Sequence, residues 1–118
     1  MGMAANVVVG VIALLHVYFL VLEMFLWDKP AGMRAFGQTP ESARATKVLA
    51  ANQGLYNGFL AAGLAWGLML GAEGTPVKVF FLGCVLVAGV FGAVTASRKI
   101  LFVQALPAAI GLALVLGA

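Results

Sequence analysis

Four long apolar stretches alternate with short polar joints along this chain. The stretches cover residues 4–27, 46–72, 76–97 and 100–116. An α-helix that crosses a bilayer needs roughly 17–25 mostly apolar residues, and each stretch lies within or slightly above that range. The pattern therefore predicts an all-α fold, a four-helix transmembrane bundle. We expect helices at about 4–27, 40–72, 76–97 and 99–117, in a single integral membrane domain covering residues 1–118.

The joints contain residues that are typical of helix ends. Residues 39–41, Thr-Pro-Glu, form an N-cap, a proline at the first helical position and an acid in the first turn. The Thr-Pro pair at 75–76 repeats the cap and the proline. The second helix is thus predicted to begin near Pro40, after DKPAGMRAFGQ, which should form a loop or a short helix at the membrane surface. Pro107 should kink the last helix, because proline removes a helical hydrogen bond.

Composition supports insertion into a membrane. Hydrophobic residues make up 64% of the chain and charged residues only 9%, whereas soluble domains are about a quarter charged. The formal charge of +3 is too small and too dispersed to favour nucleic acid. Cys84 is the single cysteine, so no intrachain disulfide forms. The start, MGMAANVVVG, lacks the basic segment of a signal peptide, and the first stretch is therefore expected to remain as a helix.

The basic residues predict an orientation in the membrane. Six of the seven lysines and arginines lie on or near the first and third joints, and only Lys78 lies near the second. Because basic loops stay on the cytoplasmic side, both termini are predicted to lie on the outer side. The same bias argues against dual topology.

A cluster of polar side chains interrupts the second stretch. In KVLAANQGLYNGFLAAG, residues 47–63, Asn52 pairs with Tyr56 at i, i+4 spacing, and Gln53 pairs with Asn57. The four cover an arc of about 140° at 100° per residue. The same arc continues through a glycine ladder: Gly63, Gly67 and Gly71. Unpaired buried amides cost about 1–3 kcal/mol each, and we therefore predict that this face looks inward.

Polar side chains of the other stretches lie at a similar depth. His16 and Glu23 are seven residues apart and share one face of the first helix with Trp27, which stands where an interfacial aromatic anchor is expected. By helical rise, Glu23 lies about 6 Å and His16 about 16 Å from the cytoplasmic end. Gln104 lies within about 6 Å of the third joint. The acid and the amides are therefore predicted to meet in one internal pocket near the cytoplasmic side.

These residue types are suited to acid–base chemistry. Glu23, His16 and Tyr56 are the candidate catalytic residues, since a carboxyl, an imidazole and a phenol all transfer protons. The candidate substrate-binding residues are Asn52, Gln53, Asn57, Gln104 and Trp27. No metal site is predicted, because a second imidazole or a thiolate near His16 is lacking, and no cofactor is predicted.

Two structural alternatives stay open for the same residues. The amides of the second helix could simply hydrogen-bond neighbouring helices and fix their packing. Glu23 could be an ion-pair partner of a basic side chain at the membrane edge: Lys99, Arg98 or Lys47.

Three segments together resemble a known family. They are LLHVYFLVLEMFLW, TKVLAANQGLYNGFLAAGL and SRKILFVQALPA, and they resemble the bacterial family of small membrane proteins called domain of unknown function 1304. The resemblance covers nearly the whole chain. It implies four membrane helices and, for a bacterial protein, a multi-pass location in the inner (cytoplasmic) membrane. It implies no activity, substrate or catalytic residue.

Three functions are compatible with these observations. The first is the binding, with or without acid–base transformation, of a hydrophobic or amphiphilic small molecule in the intramembrane pocket. The second is a small proton-coupled transporter, similar in architecture to the small multidrug exporters. The third is a structural or accessory membrane subunit. We expect the first, with the lipid bilayer and a lipid-like molecule as partners, no nucleic acid, and self-association as an open alternative.

Overall fold

The computed structural model describes residues 2–117, and these residues are helical almost throughout, with no strand among them. Five α-helices follow one another along this part of the chain. They are α1 (Met3–Met24), α2 (Pro30–Phe36), α3 (Pro40–Met69), α4 (Thr75–Thr95) and α5 (Leu106–Gly117). A 3₁₀ turn, Gly71–Gly74, precedes α4, and a π-helical turn, Leu101–Ala105, precedes α5.

Two of the helices are long and apolar enough to cross a membrane by length and composition. They are α1 and the continuous segment Gly71–Thr95 that contains α4. The helical segment Leu101–Gly117 is apolar but shorter. In α3 the amides and the charged first turns accompany the apolar residues, which lowers its hydropathy relative to α1 and α4. The all-helical prediction is thus confirmed.

The chain divides into two compact units. Within the described residues, 2–13 and 60–117 form the terminal unit, and 14–59 form the central unit. The helices α1 and α3 each contribute residues to both units.

The terminal unit has an apolar core contributed by α1, α3, α4 and α5. Its buried members are three or four residues apart on α1 and α4 and seven residues apart on α5, as expected for helices that each bury one face. They are Ala5, Val9, Ile12, Leu64, Leu82, Val85, Ala108 and Val115. Large apolar side chains also cover the outer face of α4, where Val87, Phe91 and Val94 are exposed.

Glycines permit close packing in the terminal unit. A Cβ on Gly63 would clash with the ring of Phe81, and a Cβ on Gly67 would lie 2.7 Å from Cγ of Lys78. The glycine ladder of α3 therefore serves helix packing at these two positions. Gly71 instead adopts a left-handed φ of 63° just after α3 ends, a conformation that glycine tolerates without steric cost.

The second Thr-Pro pair does not form the predicted cap. Thr75 has helical φ and ψ of −55° and −48°, and Gly74 stands at the N-cap position. The reason is the 3₁₀ turn Gly71–Gly74, which leads directly into α4 and places Thr75 inside the helix. The Thr75 hydroxyl donates back to the carbonyl of Ala72 at 3.3 Å.

The last helix is irregular just before its proline. The π-helical turn Leu101–Ala105 ends where the Leu106 N–H donates to the carbonyl of Leu101. Pro107 has no N–H for the carbonyl of Val103, and a widened turn at this place accommodates that loss. The irregularity expected from Pro107 is therefore a π turn.

The central unit begins α3 with the predicted cap. The Thr39 hydroxyl accepts a hydrogen bond from the Ser42 N–H at 3.1 Å, and Ser42 Oγ accepts one from the Thr39 N–H at 3.0 Å. The two residues thus satisfy each other's backbone donors in the manner of a capping box. Of the two alternatives for the preceding segment, it forms a short helix, α2.

Candidate functional site

The central unit joins α1 to α3 through a carboxyl–amide hydrogen bond. Asn57 Nδ2 of α3 donates to Glu23 Oε1 of α1, and both side chains are half-buried. This contact brings together the acid of the first apolar stretch and one carboxamide of the second, as predicted. The carboxyl keeps its second oxygen, and the amide keeps its own oxygen, as further hydrogen-bonding groups.

Two glycines allow the helices to approach at this point. A Cβ on Gly54 would lie 2.5 Å from Met24 Cγ and 3.1 Å from Glu23 Cβ, and a Cβ on Gly58 would lie 2.7 Å from Leu20 Cδ1. Gly54 and Gly58 are four residues apart, the spacing that lets helix backbones come close in membranes. The sequence analysis did not identify these two glycines as a contact site, although their i, i+4 spacing in GLYNG, residues 54–58, is typical of one.

Three of the four residues of the predicted polar arc on α3 do not look inward. Asn52, Gln53 and Tyr56 are exposed, with Tyr56 at 53%, and the predicted inward face is therefore wrong for them. The buried side of α3 in this unit is lined by Ala43, Ala50 and Gly54. At 100° per residue, Asn52 and Tyr56 lie about 160° from Gly54. Small residues occupy the inner face of α3 because they let the helix backbones approach closely.

The exposed polar residues still form a continuous path around α3. Gln53 lies one turn before Asn57 and about 40° from it, and Tyr56 lies about 100° from Asn57. No side-chain hydrogen bond is formed by Asn52, Gln53 or Tyr56 within residues 14–59. Their amide and phenol groups are therefore open to a partner.

Two other candidate residues of the central unit are buried. His16 is fully buried, and its ring contacts Phe19 edge-on at a centroid distance of 5.3 Å. Trp27 is 9% exposed, and its Nε1–H donates to Thr46 Oγ1 at 3.1 Å. Its ring also packs against Phe36 at 5.0 Å. Trp27 therefore packs in the core of the central unit, and its position at the membrane interface stays a prediction.

Gln104 belongs to the terminal unit. It is half-buried and lies in the π turn Leu101–Ala105. Irregular turns of this kind occur often at functional sites.

Lys47 forms an ion pair within the central unit. Lys47 Nζ lies 2.9 Å from Asp28 Oδ2, so Lys47 pairs with Asp28. The hydrogen bond from Lys47 lowers the pKa of Asp28 below its ordinary value. Glu23 has Asn57 as its hydrogen-bond partner in the central unit. Lys47, one of the predicted ion-pair partners of Glu23, pairs with Asp28 instead.

The described residues offer no cluster for a metal ion. Within residues 2–117, no three His, Cys, Asp or Glu side chains come together in a group that could hold one. Glu23 and Asn57 themselves can form hydrogen bonds, and the carboxyl of Glu23 can exchange a proton.

The sequence profile of a family described as "Protein of unknown function (DUF1304)" matches residues 10–116. This chain belongs to the DUF1304 family. The match includes every predicted site residue from His16 to Gln104 and confirms the resemblance stated above. The DUF1304 chain is also 26% identical over 95 residues to the uncharacterized protein YpaA of Lactococcus lactis subsp. lactis (strain IL1403). The aligned region covers 79% of this chain and 80% of YpaA. No solved structure matches this chain.

Proposed function

We propose that this DUF1304 protein binds an amphiphilic small molecule within the bacterial cytoplasmic membrane. In this proposal it is a multi-pass four-helix bundle with both termini on the outer side. The apolar character of α1 and α4 supports membrane insertion. The large apolar side chains exposed on α4 also support it, since lipid tails can cover them.

One observation carries the binding proposal. A half-buried carboxyl and amide are hydrogen-bonded to each other in the apolar part of two helices, and Gln53 stands exposed one turn away. An amide buried without a hydrogen-bond partner costs about 1–3 kcal/mol by protein mutational data. The polar end of an amphiphile would satisfy Gln53 together with the free oxygens of Glu23 and Asn57.

The apolar part of the ligand would lie on the membrane-facing side of α3. Leu49, one turn before Gln53, is exposed. A polar group on Gln53 and a hydrocarbon chain along such residues match the two-sided character of an amphiphile. Acid–base chemistry by Glu23, His16 and Tyr56 stays a prediction, with binding as its first step.

The test is the identity and amount of small molecules that co-purify with the protein in mild detergent. We expect native mass spectrometry to show one bound amphiphile on the wild-type protein. Its retention should fall at least about tenfold in Asn57→Leu and Gln53→Leu, because each removes about 1.5 kcal/mol or more of hydrogen bonding to a charged or polar group. Tyr18→Phe is the matched control, since Tyr18 is exposed on α1 and has no part in the site. Equal retention by all variants would refute the binding site.

A structural role is the second candidate, and the Glu23–Asn57 hydrogen bond itself favours it. If this bond only joins the helices, Asn57→Leu should lower the melting temperature in detergent, while Gln53→Leu should change nothing. A ligand site predicts loss of the bound molecule in both variants. The Gln53 variant therefore separates the two candidates.

A further inference from the structure

The outer side of α3 in the central unit carries a line of exposed side chains that includes one amide. The line consists of Ala45, Val48, Asn52, Leu55 and Phe59. Its members are spaced alternately three and four residues apart, and they cover an arc of about 80° at 100° per residue. This is the spacing of the a and d positions of a coiled coil, with Asn52 at an a position. We call this line the outer seam.

The outer seam is turned away from the helices that α3 contacts in the central unit. Gly54 packs against the end of α1, and Ala50 is buried in the core of the unit. Both lie about 160° around the helix from Asn52. Gln53 and Asn57 lie about 100° and 140° from Asn52. A ligand held by those two amides therefore leaves Asn52 without a partner.

Asn52 distinguishes the outer seam from an ordinary lipid-facing surface. The exposed face of α1 in the same unit has the same spacing, but it contains no amide: its members are Leu14, Tyr18, Val21 and Phe25. Asn52 forms no side-chain hydrogen bond within residues 14–59. By helical rise it lies about 9 Å into the second apolar stretch, too deep for so short a side chain to reach the membrane surface. In lipid its amide needs a partner from another helix.

A second copy of this chain supplies such a partner at the required depth. Copies that are inserted with one orientation associate about an axis along the membrane normal, so their α3 helices run parallel. Parallel helices that pack through a and d positions bring each seam residue opposite its own equivalent. A carboxamide has both donors and an acceptor, and two Asn52 side chains therefore satisfy each other. Lipid tails offer neither group.

We propose that the outer seam is the interface of a parallel homodimer, in which the Asn52 amides of the two copies are hydrogen-bonded to each other. Val48 and Leu55 pack at d positions in the turns before and after the amides, with the helices crossing at about +20°. A single polar residue at an a position fixes the register and the oligomeric state of such pairs. The dimer requires the membrane insertion and single orientation of the proposed function, but it does not require the amphiphile.

Disulfide formation by the full chain in isolated membranes tests this interface. Cys84 is replaced by serine, and one cysteine is introduced by Leu55→Cys in the seam or by Tyr18→Cys on the exposed face of α1. Both positions lie about 14 Å from the cytoplasmic ends of their apolar stretches, so copper phenanthroline reaches them equally. We expect a disulfide-linked dimer with Leu55→Cys at a yield at least about fivefold that with Tyr18→Cys, because a disulfide requires facing Cβ atoms.

Substitutions in the Leu55→Cys background test the amide itself. Asn52→Leu should lower the disulfide yield at least about fivefold, because the interhelical hydrogen bonds are lost. Asn52→Gln keeps a carboxamide and should retain at least about half of the yield. Gln53→Leu removes an amide that lies outside the seam, and it should keep the full yield while the amphiphile is lost. Asn52 is exposed, so these variants should keep the fold, which their melting temperatures in detergent check.

The homodimer is refuted if Leu55→Cys forms no more dimer than Tyr18→Cys, or if Asn52→Leu keeps the yield. A mixed disulfide with another membrane protein in place of the dimer also refutes it and assigns the seam to that other partner. A chain that is present in the membranes but forms no dimer refutes the dimer alone. A chain that is absent from the membrane fraction refutes the proposed function together with the dimer.

Discussion

A carboxyl within an apolar helix needs a polar neighbour, and Asn57 provides one for Glu23. Removing a charged group from water costs several kcal/mol unless hydrogen bonds replace the lost solvent. The amide donor supplies one such bond. It also fixes the rotation of α3 relative to the end of α1 within the central unit.

Asp28 lies outside the proposed membrane spans, and its ion pair with Lys47 gives a residue-level prediction. Its hydrogen bond lowers the pKa of Asp28, so the pair contributes stability above the pKa of the unfolded chain, and this contribution is lost as the pH falls through the lower folded value. The effect on stability should be small, because the Lys47 side chain is exposed. We expect carbon NMR titration to show the Asp28 pKa rising in Lys47→Met.

Arg44→Met is the control for that titration, since Arg44 is an exposed cation of the same helix. The Asp28 pKa should not change in this variant. An Asp28 pKa that stays low without Lys47 would show that the ion pair is not its cause.

At the level of single residues, sequence predicted the meeting of Glu23 with an amide but selected the wrong face of α3. The prediction placed the polar arc inward because buried amides need partners. The structure buries Ala50 and Gly54 instead, because helix backbones approach most closely over small side chains. The burial of Lys78, which is 1% exposed, was also missed, since neither charge nor periodicity reveals that Gly67 makes room for its stem.

At the level of the helices, local sequence predicted some boundaries and misjudged others. The Thr-Pro pair at 39–40 caps α3, whereas the same pair at 75–76 does not cap α4. The difference arises in the preceding residues, since Gly71–Gly74 already form a 3₁₀ turn that is continuous with α4. A Thr-Pro pair alone therefore does not predict whether the residues before it already form a helical turn.

The contact of α4 with the π turn gives an element-level prediction. A Cβ on Gly89 would lie 2.5 Å from the Ala105 nitrogen and 2.8 Å from its Cα. Backbone atoms cannot move aside as a flexible side chain can. We therefore expect Gly89→Ala to lower the free energy of unfolding by about 1–3 kcal/mol, the usual cost of overpacking, measured by denaturation in detergent.

Gly83 offers a matched control on the same helix. A Cβ there meets nothing within 4 Å. Gly83→Ala should therefore stabilise the protein by about 0.5–1 kcal/mol, because alanine favours the helix over glycine. Equal effects of the two substitutions would contradict the packing argument.

At the level of the whole molecule, composition and hydropathy predicted an all-helical chain, and the structure confirms it. The family match over residues 10–116 confirms the relationship suggested by three short segments. The division into two compact units could not be predicted, because helices α1 and α3 each contribute to both. The four apolar stretches of the sequence do not show at which residue α1 or α3 passes from one unit to the other.

The proposed orientation is tested by chemical labelling of intact cells. Cys84 is first replaced by serine, and a single cysteine is then introduced by Glu73→Cys or by Ser97→Cys, both at exposed positions. A membrane-impermeant maleimide should label the first variant and not the second, because basic joints stay in the cytoplasm. The opposite pattern would invert the topology, and labelling of both would indicate dual insertion.

The π turn before α5 has a consequence for how the length of this chain can vary. A wider turn takes in one additional residue without rotating the helix after it, whereas a deletion in a regular helix rotates the remainder by about 100°. Loss of the exposed Phe102 would thus convert Leu101–Ala105 to an ordinary turn and leave Ala108 and Val115 on the core side. Family members one residue shorter at this place should fold alike, while deletions within α4 should not survive selection.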